Sequence, residues 1–205
     1  MEVTRENFWD TMDQWAGTEV ELQETAGGKY CGHTDLHEKI YQECLKCENW
    51  THQFDTNDYS GELKFRITTL SGAPMERWEF LKEVQFNSYG DGLAAGADLV
   101  YHWAVPTMEE FPSVYEFMDA NREYVNPLIT RLGPGHQIMP HNHGPQVQWL
   151  FNMSINEPEG SRNAIYPQGI LPYKPGDIYQ LFVHNLHGVW NGNGVRYHLL
   201  FRGGR

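Results

Sequence analysis

Val147-Gln148-Trp149-Leu150-Phe151-Asn152-Met153-Ser154-Ile155 alternates with a period of two. In an extended chain Val147, Trp149, Phe151, Met153 and Ile155 share one face, and Gln148, Leu150, Asn152 and Ser154 share the other. Val195-Arg196-Tyr197-His198-Leu199-Leu200-Phe201 repeats the pattern, with Arg196, His198 and Leu200 opposite Val195, Tyr197, Leu199 and Phe201. Each strand has one uniformly apolar face and one face that mixes polar with apolar groups, as expected of a barrel wall enclosing a site.

Outward from these two runs, further β-rich stretches cover Leu63–Leu70, Leu99–Trp103, Pro127–Leu132 and Asp177–Val183. Turn signals at Gly133-Pro134-Gly135, Lys174-Pro175-Gly176-Asp177 and Asn191-Gly192-Asn193-Gly194 separate them. Long helices do not alternate with the strands, so the pattern predicts a mainly β sandwich or jelly roll rather than a parallel sheet. One helix interrupts it near Pro112–Arg122, with Pro112 in its first turn. Two amphipathic helices precede it. The first carries Phe8, Trp9, Met12 and Trp15 and ends at Gly17; the second is capped by Thr34 and carries Leu36, Ile40, Tyr41 and Cys44. The expected organisation is one domain over residues 1–205: a helical N-terminal extension at 1–48 and a β core at 49–205.

Acidic residues number 27 against 15 basic ones, a formal charge of -12, and no run of Lys or Arg exceeds two. Such a surface repels phosphate backbones and anionic lipid, which argues against nucleic acid and membrane partners. No stretch reaches the roughly eighteen apolar residues of a membrane helix, and Met1-Glu2-Val3-Thr4-Arg5-Glu6 lacks the pattern of a secretion signal. A soluble cytoplasmic protein is expected. Nothing in the sequence speaks to oligomeric state.

The chemistry gathers in Pro140-His141-Asn142-His143-Gly144-Pro145, in His187-Gly188-Val189-Trp190-Asn191, and in Arg196. A His-x-His pair on one strand, a third His about two strands later and an Arg shortly beyond can close around one iron and anchor an acidic co-substrate. His141, His143 and His187 are therefore the candidate ligands, with His184 as the rival. His102, His136 and His198 read as structural or pocket-lining. Asn152 faces the same side as Gln148 and can hydrogen-bond the keto-acid end of a co-substrate, or serve as an ordinary strand Asn. All three cysteines fall in one window, and Cys31, His33, Cys44 and Cys47 form a candidate structural zinc set; the competing reading is buried free thiols.

The run Leu132-Gly133-Pro134-Gly135-His136 through Pro140-His141, then Pro175-Gly176-Asp177, His187 to Asn191 and Arg196-Tyr197-His198-Leu199-Leu200, resembles the aspartyl/asparaginyl β-hydroxylase family. These are iron(II), 2-oxoglutarate-dependent oxygenases, among them free-proline hydroxylases. The likeness extends upstream through Trp50, Tyr59-Ser60-Gly61 and the helix at Pro112, so it spans about residues 50–205. It implies a double-stranded β-helix, the cupin-like form of the jelly roll, with His141 and His187 on iron and Arg196 on the distal carboxylate of 2-oxoglutarate. A guanidinium fork suits that carboxylate better than a lysine would. The chain departs from the family where related proline hydroxylases carry an Asp, since His143 stands there, and Pro140–Pro145 is one residue longer than the Pro-His-x-Gly-Pro of the β-hydroxylases. His143 then completes a three-His site, stands beside a two-His site with water in the third position, or marks a site without oxygenase activity.

Three functions follow. The first is an iron(II), 2-oxoglutarate-dependent dioxygenase that hydroxylates an amino acid, as a small molecule or within a peptide. The second is a three-His cupin dioxygenase independent of 2-oxoglutarate, with Arg196 on a substrate carboxylate. The third is a non-enzymatic jelly-roll binding module.

Overall fold

The computed structural model describes residues 2–15, 27–48, 51–56, 63–69, 109–135, 137–143 and 149–203. Gly17, Trp50, Tyr59-Ser60-Gly61, the expected strand Leu99–Trp103 with His102, and His136, Gly144, Pro145, Val147 and Gln148 lie outside the described residues.

The elements are α1 (Phe8–Trp15), β1 (Gly28–His33), α2 (Leu36–Lys46), β2 (Thr51–Thr56), β3 (Leu63–Thr69), α3 (Pro112–Ala120), β4 (Tyr124–Leu132), β5 (Gln137–His141), β6 (Leu150–Ser154), β7 (Arg162–Ile165), β8 (Gly169–Leu171), β9 (Asp177–Leu181), β10 (His187–Trp190) and β11 (Arg196–Gly203). One sheet has the order β1-β9-β6-β11-β4-β3-β2 and the other β5-β10-β7-β8, and the strand pairs are antiparallel. From β4 onward the chain passes between the sheets: β4, β6, β9 and β11 lie in the large sheet, and β5, β7, β8 and β10 in the small one. That alternation is the winding of a jelly roll, so the fold is a mainly β double-stranded β-helix with flanking helices.

The two alternating runs explain the layers. Met153, Ile155, Tyr197, Leu199 and Phe201 meet Ile40 and Cys44 of α2 and Val114 and Phe117 of α3 in one buried cluster. The uniformly apolar face of β6 and β11 is thus the outer face, covered by helices. Its partner face looks into the barrel, where Ile165 and Leu171 of the small sheet pack against Tyr179 and Leu181 of the large one. On the far side Phe8 and Met12 of α1 bury Ala164. Trp9 and Trp190 flank the Arg162 guanidinium at 5.2 and 5.4 Å, which pins α1 to the small sheet.

The first 48 residues are not purely helical. β1 pairs along the edge of β9, Phe182 donates its N–H to Gly27 O (2.8 Å), and Thr34 donates to Gly176 O (3.0 Å). The strand covers backbone groups that β9 otherwise leaves unpaired. Its sequence, Gly-Lys-Tyr-Cys-Gly-His, has no apolar alternation, and for that reason it does not read as a strand.

Candidate metal centre

His141 is the last residue of β5 and lies opposite His187, the first of β10. The register between the two strands shifts just beyond this pair, a bulge of the kind that re-aims side chains. His143 follows β5 by two residues and is held by its own N–H, which donates to Val183 O (2.8 Å). One ligand atom from each of the three imidazoles lies within 4.8 Å of the other two, and no other His, Cys, Asp or Glu group among the described residues does this. His141 Nε2 and His143 Nε2 are 3.2 Å apart. Two nitrogens about 2.1 Å from one metal at a right angle stand about 3 Å apart, so the spacing suits adjacent ligands of one ion.

The imidazoles are prepared for a cation. Burial first, then His141, push His187 down to about 3 against the opposing pull of the Asn185 carbonyl, and burial followed by His187, His141 and Arg202 holds His143 well below its ordinary value. Both rings are neutral at physiological pH, the form that binds metal. His187 Nδ1–H donates to Asn185 O at 2.8 Å, which fixes the tautomer and leaves Nε2 to face the cluster. A divalent transition metal such as iron(II) fits this donor set. His184 is exposed against Phe182 and does not join it.

Arg196 and Asn152 lie inside the barrel, in a polar network that also contains residues the sequence did not single out. Ile165 is paired with His187 and Asn163 with Val189, so Asn163 sits one strand repeat, about 7 Å, deeper than the histidines. Arg196 Nη2 donates to Asn163 Oδ1 and, at 2.9 Å, to His198 Nδ1. His198 Nε2 donates to Glu157 Oε1 (2.5 Å), which also accepts from Ser154 Oγ (3.1 Å) and Asn163 Nδ2 (3.3 Å). Glu157 Oε2 faces Arg196 Nε at 3.6 Å. Asn152 Oδ1 stands 2.5 Å from His198 Nδ1, a contact that suits a neutral ring once the amide is rotated to present its NH2. Asn152 is thus engaged by His198, within the network.

Burial opposes ionisation of Glu157, yet Arg196, His198 and the hydrogen bonds from His198 and Ser154 outweigh it and hold its pKa at about 2. Burial, then the Arg196 charge, lowers His198 to about 4. Among the described residues the floor of the barrel therefore carries one cation, Arg196, and one anion, Glu157. Two buried polar atoms in this region meet no hydrogen-bond partner among the described residues, Arg196 Nε and Tyr173 Oη. They leave room for an acceptor, but the guanidinium already faces a carboxylate. A dicarboxylate does not fit the network as it stands.

At the closed end Asn191, fully buried, donates from Nδ2 to Leu132 O (3.0 Å), Gly133 O (2.5 Å) and Gly194 O (2.8 Å) and accepts from Ser161 Oγ (3.1 Å). These bonds hold the tight turn that the nine-residue separation of His187 and Arg196 demands. A Cβ on Gly192 would come 1.9 Å from Glu159 O, so only glycine fits there.

The zinc expectation is not upheld. Cys31 is exposed on β1, Cys44 is buried in the core beneath α3, and Cys47 ends α2. His33 turns instead to Asp177 (3.2 Å) and Asp35 (3.3 Å). Proximity in sequence is undone because β1 lies at the sheet edge while α2 packs on the sheet's outer face.

No family model and no curated protein matches this chain. Among solved structures it is similar to a 2OG-Fe(II) oxygenase family oxidoreductase from Burkholderia pseudomallei, with 12% identity, TM-score 0.47, and coverage of 100% of this chain and 95% of that one. It is likewise similar to a Pseudomonas putida prolyl-4-hydroxylase (13% identity, TM-score 0.46, 96% and 97% coverage). A third similar structure is AviO1 from Streptomyces viridochromogenes (12%, 0.45, 98% and 95%).

Proposed function

We propose that this chain is a non-haem iron(II) dioxygenase with a three-histidine centre of His141, His143 and His187. The observation that carries the reading is the convergence of three imidazoles inside one end of a jelly roll, two of them, His143 and His187, held neutral by burial. Iron(II), when bound, supplies the redox chemistry that activates dioxygen. The protein's own part is to hold the donors. The Asn185 carbonyl orients His187, the Val183 carbonyl holds the His143 backbone, and the strand pairing sets His141. Three neutral ligands leave the ion one charge more positive than two histidines and a carboxylate would, which favours an anionic substrate or co-substrate beside it.

From the resemblance, the finer reading is 2-oxoglutarate as co-substrate and hydroxylation of an amino acid, free or within a peptide, in a soluble cytoplasmic enzyme of one domain. A second reading, a three-His dioxygenase that needs no 2-oxoglutarate, is favoured by Glu157, whose carboxylate already faces Arg196.

Anaerobic titration of the metal-free protein with iron(II) and then 2-oxoglutarate tests both. A visible charge-transfer band that is lost in Arg196→Ala supports the first reading, and iron binding without a band supports the second. No iron binding sinks the proposal.

A further inference from the structure

We propose that Glu157 is the resident anion of Arg196 and the specificity-determining residue of the deep site, one that weakens the binding of any dicarboxylate there. This rests on reading the His centre and the Arg196 site below it as one active site.

Glu157 follows β6 and folds back under it, so that a side chain outside the strand pattern fills the position facing the guanidinium. Its Oε1 accepts from His198, Ser154 and Asn163, and its Oε2 faces Arg196 Nε. Asn163 and His198 also take the two bonds of Arg196 Nη2, so cation and anion share the same two bracing side chains. A carboxylate arriving from solvent meets a site whose charge is already balanced. It must displace Glu157, breaking three hydrogen bonds and an ion pair, or bind beside a second buried negative charge. A neutral acceptor meets neither obstacle and can hydrogen-bond Tyr173 Oη, which has no hydrogen-bond partner among the described residues, and Arg196 Nε, which faces Glu157 only at 3.6 Å. Burial keeps the Tyr173 hydroxyl protonated, since its pKa is raised well above the ordinary value.

The test compares wild type, Glu157→Gln and Glu157→Ala. Each is titrated with 2-oxoglutarate by calorimetry as metal-free protein, and by the charge-transfer band after loading with iron(II). Glutamine keeps the shape and an acceptor oxygen but leaves Arg196 without its counter-ion. Binding at least about tenfold tighter in Glu157→Gln than in wild type is expected, with a larger gain in melting temperature on adding ligand. Equal or weaker binding in the variants overturns the proposal. So does absence of binding in all three proteins, because a buried guanidinium released from its carboxylate should accept another. The spectral arm separates this from the fate of 2-oxoglutarate dependence. A band in wild type without tighter binding in the variants removes the role of Glu157 alone. A band confined to the variants supports that role and removes 2-oxoglutarate dependence from the native chain. If both variants unfold, tight micromolar binding by wild type overturns the proposal and no binding at millimolar ligand supports it.

Discussion

His141 and His187 face each other across the β5–β10 pair, the closing residue of one strand against the opening residue of the other, with ring centroids 4.3 Å apart. Two donors are thereby fixed by backbone hydrogen bonding, and the third, His143, is tied to the same end through Val183. Alanine at any of the three is expected to weaken iron(II) or cobalt(II) binding by more than about 100-fold, beyond the 10–100-fold that loss of an outer partner costs. His184→Ala should bind as wild type does. Equilibrium metal titration against a competing chelator reads this out, and unaltered affinity in His143→Ala would reduce the centre to two histidines.

Legibility in the sequence followed the length and two-sided burial of each strand. β6 and β11 have an apolar face under α2 and α3 and a mixed face inside the barrel, so their alternation is plain in the sequence. β7, β8 and β10 are three or four residues long, too short to show a period, and β1 is a polar edge. The histidines stood out because metal ligands are chemically unusual together. Glu157 did not, because its partners His198 and Arg196 lie about forty residues later and nothing local marks a lone acid after a strand. The cysteines misled for the opposite reason: they are near in sequence and are placed on different faces by β1 and α2.

Asn191 shares its two amide hydrogens among three carbonyls at the turn that leads into Arg196. Asn191→Ala strands those acceptors and is expected to cost about 2–4 kcal/mol, at about 1–3 kcal/mol for each buried group left unmade and with partial rescue by water. Chemical denaturation should show this loss with an unchanged m-value. Gly192→Ala, which drives a Cβ into Glu159 O, should be at least as damaging. A neutral result at Asn191 would mean that the turn holds its shape without the amide.

Arg196 and Glu157 should be strongly non-additive. Removing one member of a buried pair costs about 3–5 kcal/mol because the other charge is left unpaired, whereas removing both is often close to neutral. Arg196→Met is therefore expected to be destabilised by about that amount, and the double variant with Glu157→Gln to recover much of it. A double-mutant cycle in denaturant measures the coupling. Simple addition of the two losses would show that the pair contributes nothing beyond its separate contacts.

Acid should dismantle the same network in two stages. His198 has a folded pKa of about 4, below the ordinary 6.5, so the unfolded chain takes up the proton first and stability falls as pH drops from about 6.5 toward 4. In metal-free protein His187, at about 3, adds to that upper window. Glu157 has a folded pKa of about 2 against an ordinary 4.5. Its contribution is complete above about 4.5 and is lost as pH falls toward 2. Both effects have the same sign, so these groups contribute their full stability to the metal-free protein only from near neutrality upward. Glu157→Gln lacks the carboxylate's own stage: its melting temperature should fall below pH 6.5 at least as steeply as in wild type, since Glu157 raises the His198 pKa, but the part of the loss below pH 4.5 that belongs to the carboxylate should be gone. Melting curves of both proteins across pH 3–8 decide it, and parallel losses below pH 4.5 would mean that Glu157 is not ionised against Arg196 in the folded chain.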